Sequence, residues 1–193
     1  MSQELSDIIL SSIAVKQRLL GDPVLLDAIG RAVDLTAGCL LAGQRVWFCG
    51  NGGSAADAQH LAAELSGRFY RDRPSLAAEA LHCNTSYLTA VANDYGYDEV
   101  YVRLVEGYCR SGDLLVGLST SGDSRNVVNA FASARGRGIA TVGLTGAGGG
   151  AMRGLSDVLI NIPSTDTPRV QECHILVGHI LCALVERRLF VDG

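Results

Sequence analysis

From Arg45 onward the chain alternates short apolar runs with longer amphipathic stretches, and the joints between them are rich in Gly, Ser and Asn. A parallel strand buried on both faces reads as a near-continuous apolar run, and the return to the next parallel strand needs a crossover, usually a helix. The runs place strands near Val46 to Cys49, Ala78 to His82, Leu114 to Ser119, Ile139 to Leu144 and Val158 to Ile162. Helices are expected near Ser54 to Leu65, Thr85 to Ala92, Asp98 to Cys109, Ser124 to Arg135 and Ala151 to Leu155. A long last helix should run from about Thr167 to Phe190. The fold class that follows is α/β: a three-layer αβα sandwich around a five-stranded parallel sheet.

The residues before Arg45 read as a helical extension, two helices broken at Gly21-Asp22-Pro23. There Asp22 can cap the second helix and Pro23 can occupy its first turn. Ile8, Ile9, Val15 and Leu19 line one helix, and Leu25, Leu26, Ile29, Val33 and Leu40 the other. Each apolar face either packs on the chain's own sheet or meets neighbouring subunits.

Nothing in 193 residues, 48% apolar and 19% charged, calls for more than one domain, taken as 1–193 with the helices of 1–43 as its extension. A net charge of −4 without a Lys/Arg block gives no electrostatic reason to expect nucleic acid or an anionic membrane as partner. Any phosphate must be bound locally. No uncharged apolar run approaches the ~20 residues of a membrane span. Glu4 and Asp7 stand where a secretory signal would be basic, so the cytoplasm is the expected compartment. Six cysteines without a CxxC pair read as free thiols.

In open α/β sheets ligands bind beyond the carboxyl ends of the strands. Three loops lie there. In Gly50-Asn51-Gly52-Gly53-Ser54 the glycines admit a ligand to the backbone, and Ser54 with Asp57 matches a capping box. Gly50, Gly52 and Ala55 also satisfy the spacing of a dinucleotide fingerprint, which keeps a nicotinamide-dependent dehydrogenase open. The next strand, however, ends in Leu81-His82-Cys83-Asn84, without the acidic residue that grips the ribose. Ser119-Thr120-Ser121-Gly122-Asp123-Ser124 sets four hydroxyls at a helix N-terminus, which suits a phosphate dianion, although turn and cap duties would select the same residues. The third loop, Thr145 to Gly150, has few hydroxyls and reads as structural.

His60 and Glu64 are four apart on one helix and share a face. Gln171 and His179, eight apart on the last helix, can project toward a single site with some angular offset. Spacing alone leaves each of these open as an ordinary surface or hydrogen-bonded core residue.

Five runs, in order, carry a resemblance: Cys49 to His60 (CGNGGSAADAQH), Ala63-Glu64-Leu65, Thr89 to Asp94 (TAVAND), Ser119-Thr120-Ser121-Gly122, and Arg169 to His174 (RVQECH). Together they resemble the phosphoheptose isomerase family of sugar-isomerase (SIS) domains, over nearly the whole chain. The resemblance implies a flavodoxin-like SIS fold and a homotetramer with active sites between subunits. It implies an aldose-ketose isomerase that converts sedoheptulose 7-phosphate to D-glycero-D-manno-heptose 7-phosphate through an enediol, opening nucleotide-activated heptose biosynthesis. By motif, substrate contacts fall on Asn51, Gly52, Gly53, Ser54, Glu64, Asn93, Asp94, Ser119, Thr120, Ser121, Ser124 and Gln171. Glu64 and His179 become the acid/base pair. One zinc ion per subunit would be held by His60, Glu64, Gln171 and His179. The chain departs from the family pattern at Val170, Cys173 and the segment 146–152, none of which removes a polar site residue. Two non-catalytic readings stay open beside it: a related SIS protein that binds the replication initiator, and a sugar-phosphate sensor. Neither needs both Glu64 and His179.

Overall fold

A computed structural model describes residues 1–190. Two helices, α1 (Ser2–Leu20) and α2 (Pro23–Leu41), precede β1 (Val46–Gly50) and α3 (Gly53–Ser66). Then follow β2 (Ala78–Ala80), α4 (Thr85–Asp94), a 3-10 turn (Tyr97–Glu99), α5 (Val102–Tyr108) and β3 (Leu114–Ser119). The chain continues through α6 (Arg125–Gly136), β4 (Ala140–Thr145), a second 3-10 turn (Ala151–Gly154), β5 (Val158–Asn161) and α7 (Thr167–Leu189). All five strands are parallel, in the order β2-β1-β3-β4-β5. The expected three-layer architecture is the observed one.

Because side chains alternate along a strand, the sheet divides the core in two. Val46 and Phe48 of β1 pack with Leu114, Val116 and Leu118 of β3 under α2, α3 and α7. Trp47, Cys49 and Leu115 point the other way, against Val91 of α4, Leu104 and Val105 of α5, and Val127, Ala130 and Phe131 of α6. The six cysteines are free, five of them buried like small hydrophobes.

The helical extension splits its duties. Asp22 accepts from the amides of Val24 and Leu25, the cap expected of it, and α2 buries Leu25, Ala28, Ile29, Ala32 and Val33 in its own domain. In α1 only Val15 and Leu19 are buried, while Leu5, Ile8, Ile9, Leu10 and Ile13 stay exposed. Among the described residues no helix is long and apolar enough to cross a membrane.

Two local expectations fail for tertiary reasons. The helix expected over Asp98 to Cys109 is broken, a 3-10 turn and then α5, with Val100 and Tyr101 fully buried between them. There the Tyr101 hydroxyl donates to the Gly50 carbonyl, an anchor that outweighs helix continuity. The Ser54/Asp57 capping box does not form either: α3 starts one residue earlier, with Gly52 at its N-cap, and Ser54 lies buried inside the first turn.

Candidate active site

The connection from β1 runs to β2 and the connection from β2 returns to β3 on the other side of β1, so the strand order reverses between β1 and β3. Helices leave that point on opposite faces and open a crevice at the carboxyl ends, the usual ligand position in such sheets. Gly50 is paired with Leu118 there, which sets the Gly50–Ser54 and Ser119–Ser124 loops side by side.

The first loop is held by its asparagine. Asn51 and Asn126 exchange two amide hydrogen bonds, of 2.8 and 2.9 Å, and the Tyr97 hydroxyl donates to Asn51 Oδ1 at 3.1 Å. The Asn51 side chain therefore ties the loop to α6 and to the turn beyond α4. Gly52 and Gly53 are exposed and Ser54 is buried, so the loop offers a ligand mainly its backbone. Asn93 and Asp94, at the exposed end of α4, bond to each other at 2.8 Å.

In the second loop Ser119 Oγ lies 2.9 Å from Ser124 Oγ and 3.5 Å from Ser121 Oγ, and accepts from the Gly122 amide at 3.2 Å. Ser124 is the N-cap residue of α6 but makes no side-chain cap bond. Its hydroxyl is turned to Ser119, and although Val127 N donates to Asn126 Oδ1 at 3.0 Å, no side chain of the N-cap closes the helix end to an anion. Thr120 is half-buried and Ser121 exposed. The third loop buttresses this one: Gly146 N donates to Thr120 O at 2.9 Å, Met152 N to Gly122 O at 3.0 Å and Ala151 N to Asp123 Oδ1 at 2.8 Å. Gly122 (φ 75°) and Gly150 (φ 50°) have backbones so close that a Cβ on Gly150 would fall 2.5 Å from the Gly122 carbonyl carbon. The Thr145 to Gly150 loop has the structural role expected of it.

The helices α3 and α7 run side by side in the same direction. The Gln171 amide lies against Gly53, Gly178 against Leu61, and Glu186 against residues 69–71. Between these contacts the side chains of His60, Glu64 and His179 converge. His60 Nε2 is 3.0 Å from His179 Nε2 and 3.2 Å from Glu64 Oε1. A proton on that nitrogen can therefore be donated to the carboxylate or to the second imidazole. The Phe69 ring flanks His179 with centroids 5.5 Å apart. His60 is 49% exposed and Glu64 24%, which leaves the cluster open to a ligand. One turn before His60, burial raises the Asp57 pKa, partly offset by the charges of His60 and His179.

The potential metal-ligand atoms of His60, Glu64 and His179 all lie within 4.8 Å of one another. Two nitrogens ~2.0–2.1 Å from a tetrahedral zinc stand roughly 3.3 Å apart, so the 3.0 Å between the imidazoles is near a ligand-to-ligand edge. These three fit a divalent metal. In this rotamer Gln171 is turned away from them, with its amide against Gly53. His82 and His174 stand apart from the site, both with pKa values lowered by burial.

Sequence reasoning passed over Asn126 and Tyr97, which fix Asn51, and over Phe69, Arg73 and Glu186. A signal for the last three was present. The run Arg68-Phe69-Tyr70-Arg71-Asp72-Arg73 follows directly on the helix of His60 and Glu64, and Glu186 interrupts an apolar stretch of the last helix.

Known proteins share the sequence and the fold of this chain. The SIS domain family model matches residues 22–146. A phosphoheptose isomerase of Rhodospirillum rubrum is 56% identical over 162 residues, 84% of this chain and 86% of the relative. One from Sulfurimonas denitrificans is 46% identical over 193 residues, 100% of this chain and 99% of the relative. The solved phosphoheptose isomerase from Neisseria gonorrhoeae superimposes with a TM-score of 0.90 at 41% identity, covering 96% of this chain and 98% of that one.

Proposed function

The chain belongs to the phosphoheptose isomerases of the SIS domain family, and on that premise we propose that Glu64 and His179 carry out its acid–base chemistry. The reaction interconverts sedoheptulose 7-phosphate and D-glycero-D-manno-heptose 7-phosphate and opens heptose biosynthesis. The observation that carries the reading is the convergence of one carboxylate and two imidazoles beside a crevice rimmed by hydroxyls and helix N-termini.

The Ser119–Ser124 loop takes the phosphate, with Thr120 and Ser121 as its accessible hydroxyls. From Gly53 to His60 is seven residues, about 10 Å along α3, comparable to an extended seven-carbon chain. The carbonyl end of an open-chain sugar anchored at the loops can thus reach the turn of His60, whose ring lies 3.2 Å from the Glu64 carboxylate. Asn93 and Asp94, and Gln171 beside Gly53, address hydroxyls along the chain. The Glu64 carboxylate removes a proton from C1 of the ketose to give the enediol and returns one to C2. His179 moves the proton between the oxygens on C1 and C2, while His60 and Phe69 steady its ring. No net oxidation occurs and no nicotinamide is consumed. Positioned proton transfer of this kind is typically worth ~10²–10⁴ in rate.

His60, Glu64 and His179 would hold a zinc ion, with Gln171 as a fourth ligand in another rotamer, and the metal would polarise the carbonyl oxygen and stabilise the enediolate. Glutamine is a weak ligand, so modest affinity and an exchangeable site are expected. Stoichiometric zinc whose removal by chelator abolishes turnover would establish a catalytic metal. Full activity in rigorously metal-free protein would leave Glu64 and His179 to act alone.

The exposed apolar face of α1 supports a homotetramer in which neighbouring subunits cover Leu5, Ile8, Ile9 and Ile13, with the active sites between subunits. A cytoplasmic enzyme without nucleic-acid or membrane partners is consistent with the net charge of −4. The test is incubation of the purified protein with sedoheptulose 7-phosphate and detection of the aldose. Formation of the aldose without any change in nicotinamide absorbance supports the isomerase. Binding without turnover would favour a sugar-phosphate sensor or an initiator-binding SIS protein.

A further inference from the structure

Beyond the cluster of His60, Glu64 and His179 lies a second polar group that no step of the chemistry uses. Arg73 and Glu186 form an ion pair of 3.0 Å whose side chains are 2% and 1% exposed. Burying two charges is costly unless their remaining hydrogen-bonding capacity is met, and here it is. Arg73 donates to the carbonyls at the end of α3: Nη2 to Glu64 O at 2.9 Å, Nη1 to Leu65 O at 2.7 Å and to Gly67 O at 3.0 Å. Glu186 accepts from three successive amides, those of Phe69 and Tyr70 at 2.9 Å and of Arg71 at 3.2 Å. Burial pushes its carboxyl up, but these amides and the guanidinium outweigh burial and hold it below the usual carboxylate range.

The connections have a direction. Arg73 grips the turn of α3 that carries Glu64. Glu186 is seven residues, two helical turns, beyond His179 and therefore on the same face of α7. The three amides it binds belong to the segment that presents Phe69 to His179. One ion pair thus joins the backbone of one catalytic residue, the helix of the other and the ring that packs on it.

We propose that Arg73 and Glu186 are positioning residues for the isomerisation, which set the separation of Glu64 and His179 and the orientation of the His179 ring. The inference rests on the acid–base reading above. Neither residue touches substrate, so the pair acts on the rate of proton transfer and leaves phosphate recognition alone.

The test uses the full chain as wild type, Glu186→Gln and Arg73→Lys, each assayed with sedoheptulose 7-phosphate well below its own unfolding temperature. Glutamine keeps the shape but loses the charge. Lysine keeps the charge but cannot span three carbonyls. A shift on the order of 1 Å in a catalytic group can cost about 10²-fold, so kcat per folded molecule should fall about 10- to 100-fold with KM unchanged. The imidazole resonance of His179, assigned by its loss in His179→Gln, should move as the Phe69 ring shifts. Where Glu186→Gln does not fold, Arg73→Lys decides by the same measurements. Wild-type kcat per folded molecule with an unmoved His179 resonance would overturn the proposal, even if the unfolding temperature falls, because a merely structural pair behaves that way. The acid–base reading fails separately, if Glu64→Gln and His179→Gln both keep wild-type kcat. In that event the His179 resonance, which does not depend on turnover, still decides whether the pair positions the imidazole.

Discussion

Gly178 of α7 packs directly on Leu61 of α3, and adding one methyl group there tests the packing that brings the site together. In an unconstrained helix Gly→Ala stabilises by about 1 kcal/mol. Here a Cβ would fall 2.5 Å from Leu61 Cδ1 and 3.0 Å from Leu61 Cγ. Leu61 is 2% exposed, so its side chain has little room to move aside. Overpacking of this kind costs about 1–3 kcal/mol and outweighs the propensity gain. Gly178→Ala should therefore be net destabilised by up to about 2 kcal/mol, as much as roughly 8 °C in unfolding temperature at this chain length. The immediate neighbours of the clashing pair are His179 and His60, so kcat should fall as well. Adding Leu61→Val, which shortens the opposing side chain, should restore part of both losses, with a favourable coupling of about 1 kcal/mol in the double-mutant cycle. Calorimetry and steady-state kinetics on the four proteins provide the measurement. A Gly178→Ala protein that melts at or above wild type with full activity would refute the described contact.

Buried His174 gives stability a pH dependence. Burial, slightly opposed by the Thr145 backbone, lowers its pKa from 6.5 to about 4 in the folded protein. The folded state thus prefers the neutral ring, and its contribution is full above pH 6.5 and is lost as pH falls toward 4. By linkage the loss amounts to about 3 kcal/mol, and chemical denaturation of His174→Leu should show a flatter slope in that window. An unchanged slope would remove His174 as its source. In the hydroxyl loop, Thr120→Val and Ser121→Ala should each raise KM about 10-fold or more, as loss of a hydrogen bond to a charged group requires, with little change in kcat or stability. Ser119→Ala should also lose stability, since its Oγ accepts from Gly122 N. Unphosphorylated sedoheptulose turned over as well as its phosphate would contradict the loop's assignment.

What the sequence could convey was what depends on neighbours along the chain. The apolar run Leu114 to Ser119 reads directly as β3, and the Asp22-Pro23 pair as the start of α2, because burial and local hydrogen bonding decide both. The i, i+4 spacing of His60 and Glu64 likewise put them on one face. Long-range contacts were not legible. Tyr101 breaks the helix expected over Asp98 to Cys109 by bonding to Gly50, far back in the chain. The bonds that Asn126 and Tyr97 make to the Asn51 amide were not legible, since both partners lie far along the chain. The contact of the Gln171 amide with Gly53 was not legible either, because it depends on the packing of α7 on α3. The Arg73–Glu186 pair joins residues more than a hundred positions apart, so only the parallel packing of α3 on α7 reveals it.

The central claim is that Glu64 moves the proton, and Glu64→Gln tests it most directly. The amide keeps the size of the carboxylate and its capacity to accept a hydrogen bond, but loses its basicity. Conversion of sedoheptulose 7-phosphate to the aldose, followed by NMR for wild type and variant at equal folded concentration, should show kcat reduced ~10²–10⁴-fold. Substrate binding, measured independently by titration, should be retained. Near-wild-type kcat in Glu64→Gln would contradict the account and assign the proton transfer to another group.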